Sequence, residues 1–278
     1  MRLSTRALSP LLAAGLLAAT NVPDAMAADD KGWASSPANA WLVEKPIPEK
    51  YRSQIKTTPA DSVDAHLPGT FLAVNTPAGM ARLKRSQFKE DYWTLSLNFA
   101  TQIRQTLCSV ATAITVLNSL PLKRPMDQVY KPFPYFTQAN YFTDDVAKLR
   151  SYQHTLTDGM TLEMAAQAMR THGATVKPVH ASDISVDDMR NMMKANLSTN
   201  GDYVAINYQR KFIGQPRGAH FSPIGAYDEK SDTFLILDVA RYKFPPVWVR
   251  ADDLHKAMDT KDSETPLSRG YLLLSAGT

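Results

Sequence analysis

The sequence has very little cysteine: Cys108 is the only one among its 278 residues. A chain with a single thiol cannot form an internal disulfide, so no disulfide framework is expected. The CxxC and HExxH motifs are missing as well, which argues against a zinc site built by the protein itself. The thiol of Cys108 is therefore either a small buried apolar group or a reactive nucleophile.

Long apolar runs and a strong charge imbalance are also missing. No stretch of the chain approaches about 18 uninterrupted apolar residues, so we expect no membrane anchor. The formal net charge is only +4, and the charges are interleaved apart from a small basic cluster at residues 82–89. Because nucleic-acid binding needs a concentrated basic face, we expect no nucleic-acid partner.

The N-terminus is typical of a secretory signal peptide. A basic start precedes an apolar run at residues 11–19 and a small-x-small cleavage site at residues 25–27. We expect residues 1–27 to be removed during export, which places the mature protein in the periplasm or outside the cell. Residues 28–66 are rich in Pro, Ser, Lys and Asp and are predicted to form an extended arm. Residues 67–278 are predicted to form one catalytic domain.

The apolar patterns predict helices first and strands later. Cys108–Leu120 contains no Gly, Pro or charge and predicts a buried helix with Cys108 in its first turn. Residues 122–142 hold three prolines and predict a loop with one short helical turn. Capping patterns and a further apolar pattern predict helices at Leu162–Thr171, from Ser185 to about Leu197, and at about Ala251–Met258. Short β-branched or aromatic segments predict antiparallel strands at Tyr203–Tyr208, Ala219–Tyr227, Thr233–Val239 and Tyr271–Ser275. This order predicts an α+β fold with two lobes.

The candidate chemistry centres on Cys108. A helix N-terminus offers unpaired N–H groups and partial positive charge, both of which favour the reactive thiolate. His220 begins one predicted strand and Asp238 ends the next, so a hairpin can bring these two side chains within hydrogen-bond reach. The set is typical of a cysteine nucleophile with an oriented imidazole base. Gln102 could donate to a developing oxyanion. The alternative for His220 is a structural histidine, and the alternative for Asp238 is a turn residue at the end of a strand.

These residues carry a resemblance to the phytochelatin synthase family, particularly its shorter bacterial members. The matching text is QIRQTLCSVATAITVLNSL around Cys108, GMTLEM at 159–164, HASD at 180–183, and NYQRKFIGQPRGAHFSPIGAYDEKSDTFLILDVARYKFPPVWV at 207–249. The resemblance implies a papain-like fold with a helical lobe that carries the nucleophile helix and an antiparallel sheet lobe. It also implies that Cys108 is the nucleophile, His220 the base and Asp238 its orienting carboxylate. Gln102 falls on the family's oxyanion-hole glutamine.

The same resemblance implies a substrate. Cys108 would attack the Cys–Gly bond of glutathione, release glycine and hold a γ-glutamylcysteinyl thioester, which then passes to glutathione, a growing phytochelatin or water. The free γ-glutamyl head carries an ammonium and a carboxylate, which Asp and Arg recognise well. No cofactor is implied, and heavy-metal ions such as Cd and Zn would enter as glutathione thiolates. A homodimer is also implied. The positions that match the family's substrate-binding residues are Asn207, Arg241, Asp262 and Arg269.

Two other functions stay open. One is a cysteine peptidase for other γ-glutamyl peptides or glutathione conjugates, and the other is a thiol- or metal-binding module without catalysis. For each substrate-binding position the alternative is a surface ion pair or a turn residue. Ser109 stands where the family usually has Gly. Tyr242 replaces a common Phe of the family, and Phe244 replaces a common Tyr. These departures leave the balance between transfer and hydrolysis open.

Overall fold

The computed structural model of the chain describes residues 72–216 and 218–276. The predicted signal peptide at 1–27 and the predicted arm at 28–66 lie outside the described residues. The described residues form helices α1 (Pro77–Arg85), α2 (Glu90–Leu97), α3 (Cys108–Ser119), α4 (Asp144–Leu149), α5 (Tyr152–Asp158), α6 (Leu162–Thr171), α7 (Val186–Leu197) and α8 (Ala251–Met258). Their strands are β1 (Leu72–Ala73), β2 (Ala174–His180), β3 (Tyr203–Gln209), β4 (Ala219–Asp228), β5 (Thr233–Ile236), β6 (Val247–Arg250) and β7 (Gly270–Ala276). No helix of this part of the chain is both long and apolar enough to span a membrane.

The strands form one antiparallel sheet in the order β1-β6-β5-β4-β3-β7-β2. Strand β3 is central to the site, because Asn207 lies opposite Phe221 of β4 on one side and opposite Gly270 of β7 on the other. Gly270 permits a close approach of β2, since a Cβ at this position would lie 2.0 Å from the carbonyl oxygen of Val179. The sheet therefore brings β4 and the start of β7 to the same strand.

Helices cover both faces of the sheet. Ala205 of β3 belongs to an apolar core shared with α2, α3 and α6, whereas its neighbours Val204 and Ile206 belong to a second core shared with α7 and α8. This alternation follows from the two-residue period of a strand. Helix α3 has eleven of its twelve residues buried, which explains why it carries no charged residue and is mostly apolar. The predicted α+β class is confirmed.

The predicted starts of three helices, α3, α6 and α7, are confirmed. Helix α3 begins at Cys108. The Thr161 hydroxyl accepts the N–H of Met164 at the start of α6, and the Ser185 hydroxyl accepts the N–H of Asp188 at the start of α7. Local capping chemistry is visible in the sequence, and for this reason these starts could be predicted.

One local prediction is confirmed in part, and one is wrong. Residues 122–142 form a loop with hydrogen-bonded turns at 131–132 and 138–140 but no helix, and the amide of Asn118 binds the N–H and C=O of Phe136 within this loop. The strand predicted to reach Val239 ends at Ile236. The chain turns there because the carboxylate of Asp238 accepts the N–H of Ala240 at 2.8 Å. Strands β1, β2 and β6 were not predicted. Pro178 interrupts the pattern of β2, and it is tolerated because β2 is an edge strand.

Candidate active site

Cys108 is the first residue of α3, where the first backbone N–H groups lack partners within the helix. Burial by itself would raise the pKa of its thiol. A hydrogen bond to His220, the charge of that imidazole, the N–H of Phe221 and the charge of Arg210 more than offset burial, so the pKa is lowered from its ordinary value. This sulfur is therefore poised to become a thiolate, and a thiolate is the nucleophilic form of cysteine.

His220 lies beside the sulfur and is oriented by Asp238. Nε2 of His220 is 2.8 Å from Oδ1 of Asp238. Because a carboxylate only accepts, the ring donates its Nε2–H, and Nδ1 remains for the thiol of Cys108. Burial is the largest influence and lowers the pKa of His220. The negative charge of Asp238 and the hydrogen bonds to Asp238 and Cys108 together outweigh burial and the charge of Arg210, so the net shift is upward. The imidazole can therefore hold the proton that leaves the thiol.

Arg210 is part of this arrangement and was not predicted. Its Nη1 and Nη2 donate to the two carboxylate oxygens of Asp238 at 2.6 and 2.9 Å. The guanidinium also donates to Gln215 and stacks 4.8 Å from the ring centroid of Phe244. Burial raises the pKa of Asp238, yet His220 and Arg210 together hold it far below its ordinary value. One signal was present in the sequence, since an arginine follows β3 directly where the chain turns toward His220.

Gln102 is buried and tied to the loop that carries Asp238. Its backbone N–H donates to the carbonyl of Val239 at 3.0 Å. Its side-chain Nε2 lies 2.9 Å from the Tyr242 hydroxyl and 3.4 Å from the carbonyl of Gln105. Both amide hydrogens thus have acceptors, and donation to an oxyanion would require the exchange of one of them.

A cavity of about 210 Å³ opens beside the thiol. Five of the eight residues predicted for the site line it, and they come from α3, β3, β4 and the loop before β7. The other three do not line it: Asp238 lies behind His220, Gln102 contacts Tyr242, and Arg241 is exposed. The residues brought together in the cavity are Cys108, Asn207, His220, Asp262 and Arg269.

Arg241 was predicted to bind substrate, but the structure does not bring it to this cavity. Its guanidinium stacks 5.0 Å from the ring centroid of Phe99 and donates to the carbonyl oxygen of that residue at 3.4 Å. These contacts satisfy the side chain at the surface.

Two buried polar atoms of the cavity residues lack partners. Nε of Arg269 and Oδ1 of Asn207 are buried without a hydrogen bond, while Nη2 of Arg269 lies 3.6 Å from Oδ2 of Asp262. An unsatisfied buried polar group costs about 1–3 kcal/mol. The arrangement is therefore suited to a ligand with both acceptor and donor groups. Among the described residues, no group of three or more His, Cys, Asp and Glu side chains could hold a metal ion.

Asp158 and Glu264 also line the cavity, and neither was predicted. Arg150 joins them from behind: its Nη2 lies 2.6 Å from Oε1 of Glu264 and 3.6 Å from Oδ2 of Asp158. Nε of Arg150 donates to the carbonyl of Gly159 at 3.0 Å. No sequence pattern marks these two residues, because Asp158 ends α5 and Glu264 lies in the loop before β7, and their meeting depends on tertiary structure.

Comparisons with known proteins bear on this site. The family model described as phytochelatin synthase matches residues 63–271. The chain is 33% identical to glutathione gamma-glutamylcysteinyltransferase 3 of Lotus japonicus over 186 residues, which cover 67% of this chain and 38% of that protein. It is 31% identical to the transferase of Schizosaccharomyces pombe, over 66% of this chain and 43% of the relative. It is also 31% identical to transferase 1 of Arabidopsis thaliana, over 67% and 37% respectively. The chain thus spans less than half the length of these curated relatives.

Proposed function

The chain belongs to the phytochelatin synthase family, and we propose from this premise that it is a glutathione γ-glutamylcysteinyltransferase. In this reaction Cys108 cleaves glycine from glutathione and passes the γ-glutamylcysteinyl group to another glutathione, to a phytochelatin or to water. The observation that carries the proposal is the hydrogen-bonded series of Cys108, His220 and Asp238, whose first two members line a cavity with unpaired polar atoms.

The first half of the reaction is acylation. The thiolate of Cys108 attacks the carbonyl carbon of the Cys–Gly bond, and the developing oxyanion is stabilised by N–H groups at the start of α3. The imidazolium of His220 then gives its proton to the glycine nitrogen as the C–N bond breaks. Glycine leaves, and a thioester joins the γ-glutamylcysteinyl group to Cys108.

The second half is transfer or hydrolysis. Neutral His220 takes a proton from the amine of a second glutathione, or from water, as that group attacks the thioester carbonyl. The thiolate of Cys108 leaves and is restored by the same contacts that lowered its pKa in the free enzyme. An amine gives a longer γ-glutamyl chain, whereas water gives γ-glutamylcysteine.

The γ-glutamyl head would bind where Asn207, Asp262 and Arg269 meet. The guanidinium of Arg269 is only 3% exposed and its Nε has no partner, so a carboxylate could complete it. Asp262 would accept from the ammonium, and Oδ1 of Asn207 would accept a further N–H. These pairings support glutathione as the donor, because it presents both charged groups on one carbon.

Further features are proposed with this activity. The resemblance supports a papain-like two-lobed arrangement and a homodimer. Heavy-metal ions would take part only as thiolate complexes of the substrate glutathione. The basic start, apolar run and small-residue site within residues 1–27 support export to the periplasm or beyond. The biological role would be detoxification of heavy-metal ions, which the chelating products bind.

Glycine release tests the proposal directly. Full-length protein incubated with glutathione should release glycine, and mass spectrometry of the protein should detect a γ-glutamylcysteinyl adduct on Cys108. The Cys108→Ser variant should lose at least about 10³-fold in rate, because a serine hydroxyl is not ionised by these contacts. A wild-type protein as inactive as this variant would favour the non-catalytic thiol module. Product chain lengths then rank transfer against hydrolysis.

A further inference from the structure

A loop that contacts the C-terminal end of α3, opposite Cys108, exposes large apolar side chains. We use the name apolar loop for residues 122–135. Four of its side chains are between 51% and 72% exposed: Met126, Val129, Tyr130 and Phe133. Leu97, which is 84% exposed at the end of α2, lies next to the loop, because the Tyr135 hydroxyl donates to Asn98 at 3.1 Å. Monomeric soluble proteins rarely leave such clusters in water without a partner.

The apolar loop is held in this shape by buried polar groups. Asp127 is only 4% exposed. Its carboxylate accepts the N–H of Val129 at 2.8 Å, the Thr137 hydroxyl at 2.7 Å and the amide of Asn140 at 3.2 Å. An antiparallel backbone bridge between Met126 and Pro134 joins the two sides of the loop near its ends. The fold therefore uses buried hydrogen bonds to hold apolar side chains outward, which is the opposite of what solubility requires.

The exposed charged residues of the apolar loop are positive. Lys123 and Lys131 are exposed beside the apolar side chains, and Arg124 is half-buried and donates to the carbonyl of Asn118. Asp127 is the only acidic residue of the loop, and it faces inward. The outer surface of the loop is thus apolar with a positive rim.

We propose that the apolar loop docks on an anionic phospholipid membrane surface. Aliphatic and aromatic side chains would enter the headgroup region, where Tyr is well suited because its ring is apolar and its hydroxyl stays wet. Lys123 and Lys131 would lie at the level of the phosphates. A second copy of the chain fits this face less well, because an isologous contact would bring the two positive rims together.

Vesicle flotation of the full-length protein tests this proposal. The protein should float with vesicles of phosphatidylcholine that contain about a third phosphatidylglycerol, and much less with phosphatidylcholine alone. Val129→Ser together with Phe133→Ser should weaken binding about tenfold or more, because two apolar side chains no longer enter the bilayer. Lys123→Gln together with Lys131→Gln should weaken binding at least about fivefold and reduce its sensitivity to salt.

A matched control is available in Lys211 and Phe212, a lysine and an exposed aromatic outside the apolar loop. Lys211→Gln together with Phe212→Ser should float like the wild type. Unfolding midpoints of all variants should agree, which shows that loss of binding is not loss of fold. Wild-type protein that stays with neither vesicle, or a control that loses as much binding as the loop variants, would overturn the proposal. So would sedimentation of a dimer that Val129→Ser with Phe133→Ser converts to a monomer.

Discussion

The carboxylate of Asp238 has two cationic partners, His220 and Arg210. The charge of Arg210 also acts directly on two of its neighbours: it lowers the pKa of His220 and that of Cys108. Arg210 is not among the residues that line the cavity, so it would act on the reaction through its charge and through the orientation of Asp238. It is a positioning residue in this sense.

Replacing Arg210 with Met should therefore move the whole pH profile of glycine release upward. Without the guanidinium charge the pKa values of both Cys108 and His220 rise, so the acid limb and the alkaline limb of kcat/KM shift in the same direction. The rate should fall about 10–100-fold, because Asp238 loses two of its hydrogen bonds. The free energy of unfolding should fall by about 3–5 kcal/mol, the usual result of breaking a buried ion pair.

Arg210→Lys is the matched comparison. It keeps the charge but loses the two parallel N–H bonds, so it should lose rate while its pH profile stays near that of the wild type. A purely structural role for Arg210 would be indicated if both variants lost stability and neither shifted the profile.

At the scale of elements, local and distant interactions were predictable to different degrees. Helix α3 could be predicted with Cys108 at its start because the sequence changes from a polar to an apolar segment at that residue. The pairing of His220 with Asp238 follows from one hairpin. By contrast, Asp158 at the end of α5 and Glu264 in the loop before β7 are more than a hundred residues apart in sequence and meet through Arg150. Their meeting depends on tertiary structure that no local pattern encodes.

The end of α5 and the loop before β7, which Arg150 joins, should act as one wall of the cavity. In Glu264→Gln these two segments lose their shortest cross-link, and we expect KM for glutathione to rise about threefold to tenfold with a small change in kcat, because the wall binds but does not react. The Arg150 and Glu264 side chains are 13% and 28% exposed, so the coupling energy from a double-mutant cycle with Arg150→Met should be about 0.5–1.5 kcal/mol.

Asp145 and Lys148 provide the control for this wall, because they form an ion pair on the surface with both side chains mostly exposed. Asp145→Asn should leave KM unchanged. An unchanged KM in Glu264→Gln, or additive effects of the two wall substitutions, would mean that other contacts hold the end of α5 and the loop before β7 in place.

For the whole molecule, the class of fold could be predicted and the sheet order could not. The change from a helical period to an alternating one after about residue 200 favours α+β. Nothing local places β7 between β3 and β2, although that placement carries Arg269 to Asn207. Edge strands such as β1, with two residues, are too short to produce a pattern. The catalytic residues were therefore easier to predict than the other residues of the cavity, which distant segments bring together.

One buried carboxylate should set part of the pH dependence of the whole fold. Asp91 of α2 is 4% exposed, and its Oδ2 has no hydrogen-bond partner. Burial, followed by the charges of Asp202 and Glu90, raises its pKa to about 8. A raised carboxyl pKa favours the protonated folded form, so its contribution to stability is greatest below the ordinary value of 3.8 and is lost as the pH rises toward about 8.

Asp91→Asn should remove this dependence, because the amide has nearly the same shape and does not ionise. We expect the variant to gain roughly 1–3 kcal/mol in free energy of unfolding at neutral pH. Urea denaturation at about pH 5 and about pH 8 should show a smaller gain at the lower value. Other titrating groups are common to both proteins, so the difference between variant and wild type isolates Asp91. A gain that does not depend on pH would mean that the pKa of Asp91 is not raised in the folded protein. Asp145→Asn is the control and should show neither the gain nor the pH dependence.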